Sequence, residues 1–210
     1  MKTNLIITGV GRTMQEYFLN MWLDTPASDK FNPILITDQA LDPNHYPSIT
    51  KHQYFGSRFN YHDKLIYALH LITVMKEPAF VWDMDELWLL DESTHLYDQN
   101  TDIPQFSRLW YPNANLGEKR CRPFHYLMHF CKKNGVEHKD AHPIQEDKLW
   151  FPALDYTHTI SIIEKVKSLV DIHQGKRYNK WYVNGYGEGM ALGIALKKSN
   201  IPFRLVGEYK

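Results

Sequence analysis

The stretch KLIYALHLITVMKEPAFVWDMDELWLL, residues 64–90, decides the fold that the sequence predicts. Apolar residues recur at helical spacing in its first part, so we expect a helix over residues 61–75 that ends before Pro78. The short apolar run 79–82 is typical of a buried strand. Residues 83–86, with the sequence DMDE, follow that strand directly. The stretch therefore predicts a helix, a strand and a group of acids at the carboxyl end of the strand.

Strands and helices also alternate upstream of this stretch. Residues 4–8 (NLIIT) form an apolar run that leads into a glycine-containing turn, and apolar residues at helical spacing follow it as far as Trp22. Further short strands are expected at residues 33–37 and 51–55. This alternation predicts an α/β, Rossmann-like domain whose mostly parallel sheet carries helices on both faces. Such sheets bind ligands at the carboxyl ends of their strands.

The second half of the sequence shows weaker periodicity. We expect long polar loops at residues 91–104 and 136–147, around a helix near 124–132. Helices are expected at 159–170 and 188–198, and strands at 181–183 and 203–206, the last closing the sheet. Because no repeat, linker or low-complexity segment interrupts the 210 residues, they predict a single domain.

Composition excludes several classes of protein. Lysine plus arginine and aspartate plus glutamate number 24 each, so no overall field directs the chain to nucleic acid or anionic lipid. The two cysteines, Cys121 and Cys131, give neither a disulfide framework nor a four-ligand zinc pattern. No apolar run reaches the ~18 residues of a membrane helix, and no signal-peptide pattern is present. We therefore expect a cytoplasmic protein without a membrane-spanning segment.

Asp83 and Asp85 are the strongest candidates for a metal site. Two carboxylates at positions i and i+2 after a strand can reach one ion from a turn, and magnesium and manganese prefer such oxygen ligands. Burying acids behind an apolar strand is costly without a cation or several hydrogen bonds. The alternative is a turn in which the two aspartates cap the next segment.

Residues 64–90 resemble the core of GT-A glycosyltransferases, which have a helix bearing a lysine or arginine, a hydrophobic strand and then a DxD motif. The resemblance implies that the two acids bind Mn²⁺ or Mg²⁺, which bridges the diphosphate of a nucleotide sugar. Asp83 would then face the ribose or the metal, and Asp85 would be the firmer metal ligand. It also divides the chain into a nucleotide-binding half, residues 1–90, and an acceptor-binding half, residues 91–210.

The resemblance implies further donor-side residues. The nucleotide would lie against the end of the first strand, where Arg12 can pair with a phosphate, and Lys64 would lie near the donor phosphates. Asp38, after the second strand, would accept hydrogen bonds from the base or the ribose. The residues expected at the end of the first strand are Thr8, Gly9, Val10, Gly11 and Arg12. They do not form a G-x-G-x-x-G fingerprint.

The resemblance also implies groups from the second half of the chain. GT-A enzymes often complete the metal shell with a histidine or an acid, for which the candidates are His138, His142 and His158. We favour His142, which lies in a polar segment near Glu146. Glu188, in a glycine-rich segment at a helix start, resembles the acid that contacts the acceptor. An inverting enzyme needs a base near the acceptor hydroxyl, for which Glu188, Asp147 or Glu146 can serve.

Two other functions compete with this interpretation. The run VWDMDEL also resembles haloacid-dehalogenase-like phosphatases, in which Asp83 would be the nucleophile, although that motif usually opens its fold. A non-catalytic carbohydrate- or nucleic-acid-binding module would use the aromatic residues instead. For a transferase, the partners are a nucleotide-sugar donor and an acceptor, either a glycan or a hydroxylated phage DNA base. The basic residues for which DNA stays a candidate acceptor are Lys119, Arg120, Arg122, Lys132 and Lys133.

Overall fold

The computed structural model describes residues 2–9, 12–37, 46–53, 61–108, 131–137, 144–174 and 187–206. Its first half alternates strands and helices, as the sequence predicts, and the helix expected over residues 61–75 has those bounds. The elements of this half are β1 (Thr3–Gly9), α1 (Arg12–Leu23), a 3₁₀ helix (Pro26–Lys30), β2 (Phe31–Thr37), β3 (Thr50–Gln53), α2 (Tyr61–Met75) and β4 (Ala79–Asp83).

The second half begins with short helical turns directly after β4. Its elements are a 3₁₀ helix (Met84–Leu89), α3 (Leu90–Ser93), a 3₁₀ helix (Thr94–Leu96), β5 (Gln105–Arg108), β6 (Ile144–Phe151), α4 (Thr157–Gln174), α5 (Gly187–Lys198) and β7 (Arg204–Val206). Within the described ranges, none of the helices is long and apolar enough to cross a membrane.

The strands of the described residues form one seven-stranded sheet with the order β3-β2-β1-β4-β6-β5-β7. β1 pairs in parallel with β2 and β4, β2 with β3, and β5 with β7. Of the seven described strands, β6 alone runs in the opposite direction, because it pairs antiparallel with both β4 and β5. The mostly parallel α/β sheet expected from the sequence is therefore confirmed.

Helices cover both faces of the sheet, as expected. Successive residues of a strand point to opposite faces, so Ile6 and Val81 pack with residues of α2, α4 and α5, whereas Ile7 and Trp82 pack with Leu19 of α1. We call these the α2 face and the α1 face. On the α1 face, the Phe80 ring contacts four other aromatic rings, those of Phe31, Trp82, Tyr97 and Trp150.

The polar loops expected in the second half are partly wrong. Residues 90–96 form helical turns, and β6 begins at Ile144, inside the predicted loop over 136–147. β6 starts with four consecutive polar residues after Ile144, so its sequence lacks the alternation that marks a strand. Main-chain pairing with β4 and β5 holds it in the sheet instead. β5 was not predicted either.

The helices of the second half agree better with the sequence. The helix expected over 159–170 is confirmed and is longer at both ends, and the one expected over 188–198 is α5. β7 pairs with β5 at one edge of the sheet, close to the expected 203–206. Residues 131–134 form a helical turn, whereas the rest of the helix expected near 124–132 and the strand expected at 181–183 lie outside the described residues.

Candidate functional site

The carboxyl ends of four parallel strands meet at one edge of the sheet, which we call the carboxyl edge. Gly9 at the end of β1 pairs with Thr37 at the end of β2, which in turn pairs with Gln53 at the end of β3. On the other side of β1, Thr8 pairs with Asp83, the last residue of β4. Both threonines are buried. This is the edge at which open α/β sheets bind their ligands.

Asp83 is held in place by two side chains. The Lys64 Nζ atom lies 2.7 Å from both Asp83 Oδ1 and Oδ2, and the Thr8 hydroxyl donates to Oδ1 over 2.9 Å. The side chain of Lys64 is only 4% exposed and that of Asp83 is 23% exposed. Because a buried charge is costly unless it is paired and hydrogen-bonded, this ion pair explains how a lysine is accommodated in the interior.

These contacts leave Asp83 limited capacity for another ligand. A carboxylate offers about four lone-pair sites, and the lysine and the hydroxyl use three of them. When the contacts of the described residues are counted, Asp83 has room for roughly one more donor or cation contact, and it cannot chelate an ion through both oxygens without losing Lys64. The expected division of roles, in which Asp85 is the firmer metal ligand, stays a prediction.

The first turn of α2 is fixed at two points. A cation at a helix N-terminus is disfavoured by the helix dipole, but the carboxylate of Asp83 offsets this for Lys64. The adjacent Asp63, which is buried, accepts a 2.6 Å hydrogen bond from Lys167 of α4. The two pairs attach α2 to β4 and to α4. The expected contact of Lys64 with a donor phosphate stays a prediction.

Glu86 is also neutralised by a lysine, from the opposite face of the sheet. The Lys148 Nζ atom lies 3.2 Å from Glu86 Oε2, an oxygen that is shielded from solvent and makes this ion pair without a well-aligned hydrogen bond. The Trp82 indole nitrogen donates to the Glu86 carbonyl over 2.9 Å. Lys148 pairs directly with Trp82 across β4 and β6, so both side chains lie on the α1 face.

Asp85 lies between these two ion-paired acids. Its side chain is exposed, and within the described residues no group donates a hydrogen bond to it or forms an ion pair with it. Residues 83–86, which we call the acidic segment, thus present at the carboxyl edge one carboxylate that is unpaired within the described part of the chain. Lysines on the two faces of the sheet neutralise the acids on either side of it.

The acidic segment has the donor chemistry for a hard divalent cation. The described residues contain no group of three or more histidine, cysteine, aspartate or glutamate side chains placed to hold a metal. Mg²⁺, however, is usually bound by one or two carboxylates together with substrate phosphates and water. Asp85 and the remaining lone pair of Asp83 fit that arrangement. His142, the expected third protein ligand, lies outside the described residues.

The backbones of both predicted acceptor-side acids approach the carboxyl edge. β6 runs past the end of β4 there, and Asp147 is the residue next to Lys148 on that side. Glu188 is the second residue of α5. A hydrogen bond of 3.0 Å joins Thr159, near the start of α4, to Ser199, just past the end of α5. Because α4 starts at the opposite edge, after the end of β6, α5 runs toward that edge and its N-terminus faces the carboxyl edge.

The remaining donor-side candidates are only partly described. Gly9 ends β1 and Arg12 begins α1, which places their backbones at the carboxyl edge. The other candidates, Val10, Gly11 and Asp38, lie outside the described residues. Of the five basic residues that favour DNA as a candidate acceptor, the described ranges contain Lys132 and Lys133, and both are exposed.

A polar depression of about 330 Å³ lies at the other end of the sheet. It is lined by residues near the starts of β1, β2 and β3, among them Asn4, Asn32 and Thr50. Among the predicted site residues that the structure describes, none lines it. We place the functional site at the carboxyl edge because the ion-paired acids are there and because strand carboxyl ends are where such sheets bind ligands.

Comparison with known proteins identifies the fold. No protein-family model matches the sequence, and no curated protein matches it. The chain is similar to the apo form of the glycosyltransferase GlyE from Streptococcus pneumoniae TIGR4, with a TM-score of 0.50 and 11% identity over 98% of this chain and 45% of that one. The chain thus spans slightly less than half the length of that protein. The fold is GT-A-like, as the resemblance of residues 64–90 implied.

Two further solved structures have lower scores. One is a galactosyltransferase, LgtC, in complex with donor and acceptor sugar analogs, with a TM-score of 0.49 and 8% identity over 91% of this chain and 70% of that one. The other is a cytidylyltransferase from Leptospira borgpetersenii serovar Hardjo-bovis (strain JB197), with a TM-score of 0.42 and 11% identity over 100% of this chain and 77% of that one.

Sequence reasoning missed the roles of Glu86 and Lys148. Glu86 is adjacent to the DxD motif, so its position was known, but its partner was not. Lys148 lies in β6, which the sequence did not predict, and its contact with Glu86 depends on the antiparallel register with β4. The polar-to-apolar change at residues 147–151 was the one local sign of a strand there.

Proposed function

We propose that this chain is a metal-dependent glycosyltransferase that moves a sugar from a nucleotide-sugar donor to an acceptor hydroxyl. The observation that carries the proposal is the acidic segment at the carboxyl edge, in which Asp85 is exposed and unpaired among the described residues. The GT-A-like fold supports it. Mn²⁺ or Mg²⁺ would be the cofactor, and Asp85, aided by Asp83, would hold it.

In the proposed reaction, the acceptor oxygen forms a bond to the anomeric carbon of the sugar. The bond from that carbon to the diphosphate breaks, and the hydroxyl proton passes to a base. The cation, when bound, neutralises charge on the departing diphosphate. Lys64 keeps the Asp83 oxygens oriented at 2.7 Å, which prepares the site before the donor arrives. Glu188 and Asp147, whose backbones approach this edge, are the candidate bases.

The acceptor is a glycan or a hydroxylated phage DNA base. The chain has no net formal charge, so DNA binding would depend on a local group of basic residues, which includes the exposed Lys132 and Lys133. A cytoplasmic location stays a prediction.

The rival phosphatase mechanism is less compatible with Asp83. A nucleophilic carboxylate needs an oxygen lone pair directed at phosphorus, and in Asp83 the hydrogen bonds from Lys64 and Thr8 leave about one, on an oxygen that Lys64 also contacts. In the described part of the chain, three strands precede β4, the strand that leads into the acidic segment, whereas that motif usually opens the fold of those phosphatases. These observations support a transferase.

The test is a thermal-shift screen of nucleoside diphosphates and nucleotide sugars, each with and without Mn²⁺. A ligand that binds only the folded state raises the free energy of unfolding by mass action, by roughly 2.7 kcal/mol at 100 times its dissociation constant, and the melting temperature rises with it. We expect one nucleotide class to stabilise the protein in the presence of Mn²⁺, and Asp85→Ala to abolish the effect.

The matched control is Asp102→Ala. Asp102 is an exposed carboxylate just before β5, which begins at the opposite end of the sheet from the acidic segment. Its removal should leave the nucleotide response unchanged. No response of the wild type to any nucleotide at saturating Mn²⁺, or an equal response in Asp85→Ala, would refute the proposal.

A further inference from the structure

The acidic segment concentrates negative charge. Asp83, Asp85 and Glu86 bring three carboxylates into four consecutive residues, and like charges this close repel one another. Lys64 neutralises Asp83 from the α2 face, and Lys148 neutralises Glu86 from the α1 face. Both lysines come from other elements than the DxD motif, since Lys64 lies in α2 and Lys148 in β6. The two ion pairs therefore determine which carboxylate remains available and where it lies.

Glu86 is held through both its main chain and its side chain. Its carbonyl accepts the Trp82 indole hydrogen bond, and its carboxylate pairs with Lys148. The Cα atoms of neighbouring residues are about 3.8 Å apart across a trans peptide. Fixing Glu86 at two points therefore restricts the position of the Asp85 backbone beside it.

The strand that carries Lys148 is itself well anchored. Lys148 pairs with Trp82 in the sheet, and its carbonyl accepts a 3.0 Å hydrogen bond from the Tyr97 hydroxyl. The same hydroxyl lies 3.0 Å from the Ser107 hydroxyl of β5. The lysine side chain is only 15% exposed. Lys148 thus connects the acidic segment to a rigid part of the sheet.

We infer that Lys148 is a positioning residue, which holds Glu86 so that the neighbouring Asp85 is presented to the cation in a fixed geometry. The inference rests on the proposed function, because it assigns a purpose to Asp85. It adds a residue from β6, outside the DxD motif, on which the affinity for the cation depends.

The test has two readouts on the whole chain, of which the first needs no ligand. Amide hydrogen exchange measured by mass spectrometry reports local opening. In Lys148→Met, peptides covering Met84–Leu89 should exchange about tenfold faster, because a shielded Glu86 oxygen loses its partner. Exchange in α4 should be unchanged. The second readout is the dissociation constant of Mn²⁺ measured by electron paramagnetic resonance, which should rise about tenfold.

Three further variants make the result specific. Lys148→Arg keeps the charge and should give wild-type values for both readouts. Glu86→Gln keeps the shape of the side chain without its charge and should have the same effect as Lys148→Met. It provides the test if Lys148→Met folds poorly. Lys198→Met removes an exposed lysine at the end of α5 and should change neither readout.

Each other outcome overturns a defined claim. Unchanged exchange over Met84–Leu89, or faster exchange throughout the chain, would show that Lys148 does not hold the acidic segment specifically. Faster local exchange with unaltered Mn²⁺ affinity would show that this contact does not serve the cation. If the wild type fails to bind Mn²⁺, the proposed function fails, and the exchange data still decide whether Lys148 fixes the segment.

Discussion

Replacing Lys64 with methionine tests the ion pair at the base of the site. Breaking a buried ion pair by removing one partner typically costs about 3–5 kcal/mol, because the other charge stays buried and unpaired. Lys64 is 4% exposed but Asp83 is 23% exposed, so water partly solvates the remaining carboxylate, and we expect a loss near the lower limit, about 3 kcal/mol. For a chain of this size, that corresponds to a fall in melting temperature of roughly 6–12 °C.

The assay is guanidinium denaturation of the wild type, Lys64→Met, Asp83→Asn and the double variant at pH 7. The double variant removes both charges, and the amide oxygen of the asparagine can still accept the Thr8 hydrogen bond. We therefore expect it to be more stable than Lys64→Met, with a coupling energy of at least about 1.5 kcal/mol in the double-mutant cycle. A cost below about 1 kcal/mol for Lys64→Met, or additive effects in the cycle, would contradict the reasoning.

Three further predictions concern a buried ring, a buried thiol and a left-handed backbone conformation. Phe80→Ala removes the ring at the centre of the aromatic cluster on the α1 face and should cost about 3–5 kcal/mol by denaturation, whereas Val74→Ala, at a 64% exposed position, should change stability by less than about 0.5 kcal/mol. Burial raises the pKa of the Cys131 thiol from 9.0 to about 11. The folded state therefore holds this proton more tightly than the unfolded state does. The contribution of the thiol to the free energy of unfolding should be fully present below pH 9 and should fall by about 2–3 kcal/mol as the pH rises to about 11. An equally steep fall in Cys131→Ala would refute the assignment. Lys76 has a φ of 56°, a left-handed conformation that favours glycine, so Lys76→Gly should stabilise the protein by about 0.5–1 kcal/mol, and a loss of stability would show that the lysine side chain makes a compensating contact.

The sequence predicted the first half of the fold well because its elements have strong periodicity. The apolar residues of α2 and the run 79–82 can be recognised without tertiary information, and the position of Asp83 and Asp85 at the carboxyl end of β4 follows from them. β6 could not be predicted in the same way, since its first half is polar and its pairing partner β4 ends some sixty residues earlier in the chain.

The candidate site was predicted in its acids but not in their partners. The contact between Lys64 and Asp83 joins α2 to β4 across the α2 face, and the contact between Lys148 and Glu86 depends on the register of β6. Both contacts depend on how separate elements pack against one another, which no local sequence pattern predicts. The exposure of Asp85 relative to its neighbours is a consequence of these contacts, and it therefore became visible only in the structure.

The most direct test of the central claim is to measure the release of nucleoside diphosphate from a panel of nucleotide sugars by chromatography. The proposed function predicts release from one donor class, dependent on Mn²⁺ or Mg²⁺, enhanced by an acceptor, abolished in Asp85→Ala and retained in Asp102→Ala. Release of inorganic phosphate from sugar phosphates, with every nucleotide sugar left intact, would contradict it and favour the phosphatase.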